Sequence, residues 1–80
     1  MYFVYILKSL VTDKYYFGLT TDIEKRLVFH NKGTVPSTKS SRPWKIVWYG
    51  AFEAKTKAES FEKYLKSGSG YAFSRKRFLG

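Results

Sequence analysis

The chain has 80 residues, of which 44% are apolar and 20% aromatic, so its size and composition predict one domain with a single core and exclude a disordered chain. Fifteen Lys and Arg residues against six acidic ones give a formal charge of +9, which favours a nucleic-acid partner. The alternative is that this charge only keeps the domain soluble. The absence of cysteine excludes a disulfide framework and a thiolate zinc site.

The N-terminal segment predicts an antiparallel hairpin. Residues 2–8 and 14–19 are rich in aromatic and branched side chains, and the polar Thr12-Asp13 pair between them indicates a loop. The first apolar run ends at Lys8, which makes it too short for a signal-peptide core and far below the roughly 20 residues that span a bilayer. We therefore expect a buried strand, no membrane partner and a cytoplasmic location.

A helix and a polar loop follow the hairpin. Thr21 with Glu24 three residues later is the pattern of a capping box, which predicts a first helix over residues 22–32, and Gly33 predicts its end. Residues 33–43 (GTVPSTKSSRP) are rich in Gly, Pro, Ser and Thr and are too polar to pack as an element. We expect them to form a mobile, cationic loop.

The second half of the chain predicts one strand and two helices. Residues 44–52 (WKIVWYGAF) have the composition of a central strand. Thr56 with Glu59 predicts a capping box and a helix over residues 57–67, and residues 71–78 predict a short last helix that needs tertiary support. The whole chain therefore predicts one α/β (α+β) domain, with a small three-stranded, mostly antiparallel sheet flanked by helices.

The first predicted helix carries two polar residues on its inward side. Ile23 and Leu27 mark that side at i and i+4, and Arg26 and His30 fall on it by the 3.6-residue period. Either residue alone is explained by structure, since an arginine can extend its head group to solvent and a core histidine can have its hydrogen bonds satisfied. The two together, four residues apart, favour a functional site.

The second predicted helix offers one candidate carboxylate. Ala58, Phe61 and Leu65 define its buried stripe, and Glu62 lies beside that stripe. The alternative for Glu62 is an ordinary surface pair with Lys66 at i+4. With six acids and one histidine in the chain, histidine-rich zinc centres are excluded. What remains is Mg²⁺ or Mn²⁺ held by one carboxylate, waters and a substrate phosphate.

Two strand tyrosines complete a set that resembles a known family. Tyr5 and Tyr16 by themselves have a plain interpretation as core residues with satisfied hydroxyls. Together, however, the set resembles the GIY-YIG nuclease superfamily over essentially the whole chain. It is most similar to short stand-alone bacterial members, and more distantly to the nuclease domain of the excinuclease C subunit. The residues that carry the resemblance are Phe3-Val4-Tyr5, Tyr16-Phe17-Gly18, Arg26 and His30 in TTDIEKRLVFHN, and Glu62 in FEKYLKSGSG. Phe3 and Phe17 stand where the family has glycine and isoleucine.

The resemblance implies hydrolysis of a phosphodiester with one divalent ion. It makes Glu62 the metal ligand and Arg26 the contact to the scissile phosphate. It gives Tyr5 or His30 the task of deprotonating or orienting the attacking water, which leaves the general base open, and Tyr16 completes the pocket. A tyrosine, with a pKa near about 10, needs nearby positive charge to act as a base.

The expected function is that of a DNA endonuclease, directed to damaged or branched structures and linked to DNA repair or processing. A body of this size leaves little surface for long sequence readout. The alternatives are a non-catalytic nucleic-acid-binding module of the same fold, and a basic RNA-binding or ribosome-associated protein, since charge and aromatic content do not separate RNA from DNA. The expected phosphate contacts are Lys39, Arg42, Lys45, Arg75, Lys76 and Arg77.

Overall fold

The sheet of this computed structural model has three antiparallel strands in the order β2-β1-β3. The structure describes residues 1–68, 70 and 76, so the predicted last helix, with Arg75 and Arg77, lies outside the described residues apart from residue 76. The predicted fold class is confirmed. In chain order the elements are β1 (Tyr2–Ser9), β2 (Tyr15–Thr20), α1 (Ile23–Asn31), a 3-10 turn (Lys39–Ser41), β3 (Trp44–Phe52) and α2 (Lys55–Lys66).

The central strand is β1, because β2 and β3 pair with its two edges. The prediction that residues 44–52 form the central strand is wrong, since β3 lies at the sheet edge. The burial of the two strands gives the physical reason. Four successive residues of β1, from Val4 to Leu7, are buried, as expected of a strand covered on both faces. In β3, by contrast, Lys45, Tyr49 and Ala51 are exposed.

The two helices pack on opposite faces of the sheet. Val4 and Ile6 of β1 contact Ala58 and Leu65 of α2 in one fully buried cluster, with Phe61 half-buried against it. This arrangement confirms the predicted stripe of α2. A second cluster on the other face joins Tyr5 and Leu7 to Trp44 of β3 and Leu27 of α1. The longest described helix, α2, has 12 residues, and neither described helix is long and apolar enough to cross a membrane.

Both predicted capping boxes are wrong, although the helices exist. The N-cap of α1 is Asp22, whose carboxylate accepts a hydrogen bond from the Lys25 backbone N–H at 3.1 Å. An aspartate competes well for this position because its short charged side chain reaches the free N–H groups of the first turn. Helix α2 begins at Lys55, directly after the Ala54 N-cap, so Thr56 lies inside its first turn. Gly33 has a φ of 77° and ends α1 as predicted.

The loop between α1 and β3 is packed, contrary to the prediction that residues 33–43 are too polar to pack. Thr38 and Ser41 are buried. The Trp44 indole N–H donates to the Thr38 carbonyl at 2.9 Å, and the Ser9 hydroxyl donates to the Ser41 carbonyl at 2.5 Å. The Asn31 side chain, at the end of α1, bonds both the N–H and the carbonyl of Trp44. The polar groups of this loop are therefore satisfied by tertiary partners, which allows their burial.

Candidate active site

Tyr5 lies at the middle of the candidate site. It faces α1 from the central strand and is only 1% exposed. Its cross-strand partner on β2 is Gly18, and the phenol leans over that glycine. A Cβ atom on Gly18 would overlap both the ring and the hydroxyl of Tyr5. Position 18 must therefore be glycine, because the Tyr5 side chain comes too close for a Cβ atom. The space above Gly18 lets the Tyr5 phenol point toward β2.

A chain of buried hydrogen bonds runs from Tyr5 into the α1–β3 loop. The Tyr5 hydroxyl lies 3.1 Å from Nε2 of the fully buried His30, and His30 Nδ1 lies 2.8 Å from the Thr38 hydroxyl oxygen. The Thr38 hydroxyl donates to the Val35 carbonyl at 3.3 Å. Since Thr38 uses its proton on Val35, it accepts from His30 Nδ1–H. Nε2 of His30 then carries the lone pair and accepts the proton of the Tyr5 hydroxyl.

Arg26 supplies positive charge at the same hydroxyl. Its guanidinium interacts with the hydroxyls of Tyr5 and Tyr16, and hydrogen bonding to Tyr5 raises the pKa of Arg26 still further, so the charge is permanent. The Nε atom of Arg26 is buried without a hydrogen-bond partner among the residues that the structure describes. A buried donor without a partner is costly in a native protein and is expected where a ligand completes the site.

The protonation states of Tyr5 and His30 follow from this environment. Burial raises the pKa of Tyr5, and hydrogen bonding from Arg26 lowers that pKa by less than burial raises it. Burial, and then the charge of Arg26, lower the pKa of His30 below its ordinary value. Both side chains are therefore neutral near pH 7: the phenol keeps its proton, and the imidazole keeps a lone pair that can accept one.

Tyr16 closes the aromatic side of the pocket. Its ring centroid is 4.7 Å from that of His30 and 6.2 Å from that of Tyr5, and the Tyr5 and His30 rings meet edge to face at 6.0 Å. Three rings from β1, β2 and α1 thus restrain one another, in offset arrangements that aromatic pairs prefer. The structure brings Tyr5, Tyr16, Arg26 and His30 together around the Tyr5 hydroxyl.

Glu62, on α2, acts on the pocket through its charge. This charge is the smallest of the contributions to the raised pKa of Tyr5, and α2 itself packs on the sheet face opposite the phenol. The Glu62 side chain is 22% exposed and pairs with Lys66 at 3.2 Å, so the structural alternative considered for it is present as well. Such a partly exposed i,i+4 pair contributes only a few tenths of a kcal/mol, so a competing cation can replace Lys66.

Glu62 is not part of a cluster of metal-binding side chains among the described residues. Among residues 1–68, 70 and 76, no group of three or more His, Cys, Asp or Glu side chains could hold an ion. An ion at Glu62 would take its other ligands from water and substrate phosphate. Mg²⁺ and Mn²⁺ accept such oxygen-rich, partly hydrated coordination, whereas zinc favours several nitrogen or sulfur ligands.

The predicted phosphate-binding residues are dispersed. Lys39 and Arg42 are exposed on the loop that carries Thr38. Lys45 pairs with Lys8 across β1 and β3, and alternation with the inward Trp44 puts it on the α2 face, away from the Tyr5 hydroxyl. Lys76 is exposed, while Arg75 and Arg77 lie outside the described residues.

Thr38 belongs to the buried hydrogen-bond chain, and the sequence did not indicate it. It sits in a Ser- and Thr-rich loop, where nothing in the spacing distinguishes it from Ser37 or Ser40. The one available signal was indirect: an inward histidine has two ring nitrogens, and each needs a partner when the ring is buried. That requirement predicts a hydroxyl or carbonyl near His30 without saying which residue supplies it.

Known proteins match this chain over most of its length. The family model described as the GIY-YIG catalytic domain matches residues 1–74. A UPF0213 protein of Clostridium perfringens is 40% identical over 67 residues, which cover 82% of this chain and 71% of that protein. The UPF0213 protein YsiG of Lactococcus lactis is 43% identical over 67 residues, covering 81% of this chain and 62% of that protein. No solved structure gives a significant match. The sheet order, the paired tyrosines and the family match lead to one conclusion: this chain belongs to the GIY-YIG family of nuclease domains.

Proposed function

We propose that this protein is a metal-dependent endonuclease that hydrolyses phosphodiester bonds in DNA. The observation that supports this best is the position of the Tyr5 hydroxyl, between the permanent charge of Arg26 and the lone pair of a neutral His30. A phenol in this position can pass a proton onward, which is what activation of a water molecule requires. Family membership supports a nuclease, and the charge of +9 supports a polyanionic substrate.

The proton route follows from the hydrogen-bond chain. Water attacks phosphorus and gives its proton to the Tyr5 oxygen, while the Tyr5 proton moves to His30 Nε2. A new P–O bond forms, the bond between phosphorus and the leaving oxygen breaks, and the leaving oxygen takes a proton from solvent water. Tyr5 is neutral before and after this transfer, so its raised pKa does not prevent the reaction. His30 ends as the cation. Thr38, accepting from Nδ1–H, holds the imidazole in the orientation that the transfer needs.

Arg26 and Glu62 act on the negative charge of the reaction. The unpartnered Nε of Arg26 is a donor for a phosphate oxygen, and its fixed charge stabilises the charge that develops on the transferring group. Glu62, after release from Lys66, would hold Mg²⁺ or Mn²⁺ together with waters and the substrate phosphate. When bound, the ion supplies charge neutralisation at the scissile phosphate and at the leaving oxygen.

The substrate that we propose is branched, damaged or otherwise distorted DNA, in a cytoplasmic repair or processing role. An 80-residue domain offers little surface for a long sequence-specific contact, so local shape is the feature that it can recognise. Exposed cations would hold the phosphates on either side of the cut. These are Lys39 and Arg42 on the loop and Lys76 near the C-terminus. The proposal adds Arg75 and Arg77, which lie outside the described residues, and Lys45, which would contact phosphates farther from the cut because it lies on the far face.

The second candidate is a non-catalytic nucleic-acid-binding module of the same fold. It is favoured by the Glu62–Lys66 pair, in which the candidate metal ligand is already neutralised by a lysine of its own helix. In that case Arg26 and the surface cations would bind phosphate without turnover.

One set of incubations separates the two functions. Purified protein is incubated with supercoiled, branched and single-stranded DNA and with RNA, each with Mg²⁺, Mn²⁺ or chelator. We expect cleavage of DNA that depends on the metal and is lost in Glu62→Gln with binding retained. Glu59→Gln, a matched change at an exposed position of α2, should cut normally. Binding of every substrate without cleavage of any would establish the module instead.

A further inference from the structure

The sheet face that carries Tyr5 is covered at one end and open at the other. Leu27 of α1 covers the end of this face formed by Leu7 and Trp44. In the row that contains Tyr5, the partners are Gly18 on β2 and Tyr49 on β3. Toward the open end, Phe3 is half-buried and Tyr49 is 56% exposed. An aromatic surface thus adjoins the catalytic tyrosine on the side away from Gly18.

Phe3 and Tyr49 form a fixed pair rather than two separate surface residues. Their ring centroids are 6.2 Å apart, and their planes meet at 65°, edge to face. The contact holds the Tyr49 ring while leaving much of it in solvent. Tyrosine on an edge strand has an ordinary structural explanation in its preference for strands. That preference does not account for its position directly opposite Tyr5.

We propose that Phe3 and Tyr49 bind a nucleobase of the substrate strand by stacking, next to the scissile phosphate. This proposal rests on the proposed nuclease function. Residues directly opposite on neighbouring strands have Cβ atoms about 4.5–5.5 Å apart, whereas the Tyr5 hydroxyl lies over Gly18 on the β2 side. A substrate strand whose phosphate lies at that hydroxyl therefore crosses β1 before a neighbouring nucleotide reaches Tyr49. Arg26 and the surface lysines supply charge for phosphates. The aromatic pair offers a π surface that any base can use.

The stacked base must be out of its duplex stack, since a paired base inside a duplex has both faces covered by its neighbours. The pair therefore selects for single-stranded, mismatched or branched segments, and it does so without reading sequence. Under this proposal, Tyr49 on β3 is the residue that makes the nuclease prefer unpaired or distorted DNA.

The test uses the Glu62→Gln protein, so that binding is measured without cleavage. The probe is a single-stranded DNA containing 2-aminopurine, compared with an abasic strand that has the same number of phosphates. Tyr49→Ala should reduce affinity for the base-bearing strand roughly tenfold and abolish quenching of the 2-aminopurine fluorescence. Tyr49→Phe should retain both properties. Affinity for the abasic strand, and the dependence of binding on salt, should not change.

The matched control is Tyr64→Ala, which removes an exposed tyrosine on α2, and thermal unfolding verifies that each variant is folded. The stacking proposal would be overturned if Tyr49→Ala quenched 2-aminopurine and bound the base-bearing strand as well as the Glu62→Gln protein that lacks this change. This outcome does not depend on whether the wild-type protein cuts DNA. A change of oligomeric state in Tyr49→Ala with unchanged quenching would also overturn it, by assigning the surface to a second copy of the chain. If the wild-type protein cuts nothing but quenching still depends on Tyr49, the nuclease proposal fails and the stacking surface stands.

Discussion

Replacing Thr38 with valine removes one hydroxyl from the buried chain that starts at Tyr5 and keeps the shape of the side chain. Two hydrogen bonds are lost: the one from His30 Nδ1–H at 2.8 Å and the one to the Val35 carbonyl at 3.3 Å. The Thr38 carbonyl, which accepts from the Trp44 indole, is backbone and remains in place. The change therefore acts on the orientation and proton affinity of His30 with little disturbance of the loop.

The expected size of the effect follows from the charge that His30 carries after proton transfer. A hydrogen bond to a charged group contributes about 1.5–3 kcal/mol, which corresponds to a fall of roughly 10- to 150-fold in the rate of cleavage. A buried N–H left without an acceptor costs about 1–3 kcal/mol of stability, and each kcal/mol lowers Tm by about 4–8 °C in a domain of this size.

The assay is the pH profile of kcat for DNA cleavage, measured for Thr38→Val and for Thr38→Ser, which keeps the hydroxyl. We expect Thr38→Ser to cut at close to the wild-type rate. In Thr38→Val, kcat should fall and its acid limb should move to lower pH, because the His30 cation loses an acceptor and the pKa of His30 decreases. If both variants cut equally fast with the same acid limb, Thr38 is only structural and the proposed proton route is refuted.

Three further predictions concern the same pocket. Gly18→Ala should abolish cleavage, because the added Cβ displaces the Tyr5 phenol, while circular dichroism still reports a folded sheet. Since the pKa of His30 lies below its ordinary value of 6.5, the unfolded chain binds this proton more readily than the folded one. Urea unfolding between pH 5 and 8 should therefore show stability falling as pH decreases below about 6.5, with His30→Gln reducing that dependence. Lys66→Ala should lower the Mg²⁺ concentration needed for half-maximal cleavage, because Glu62 no longer has a competing cation; an unchanged or higher requirement would argue against Glu62 as the ligand.

Local periodicity predicted the parts of the site that lie on one helix face. Arg26 and His30 are four residues apart, and this spacing alone predicted that they share a side, as the structure confirms. The α2 stripe of Ala58 and Leu65 was predictable for the same reason. In each case the residues lie within about two helical turns of one another, so the helical period alone gives their relative positions.

Features that depend on distant partners were predicted wrongly. The composition of β3, with Trp44 and Ile46, suits any buried strand, and its edge position depends on which strand pairs with β1. The loop residue Thr38 is buried because His30 and the Trp44 indole satisfy its polar groups. The sequence of the loop does not indicate either contact. The start of α2 was misplaced because the spacing of Thr56 and Glu59 suggested a side-chain cap, whereas the N-cap is Ala54, which makes no side-chain hydrogen bond.

The packing of the two helices on opposite faces of the sheet has a consequence for the protein during its synthesis. Tyr5, Arg26 and His30 all precede residue 31, whereas Glu62 arrives with the last described helix. A chain growing from its N-terminus therefore has Arg26 before it has Glu62, and α2 must dock on the completed sheet to bring that carboxylate to the site. Under the proposed function, cleavage therefore waits for the docking of α2, because a chain without this helix lacks the metal ligand.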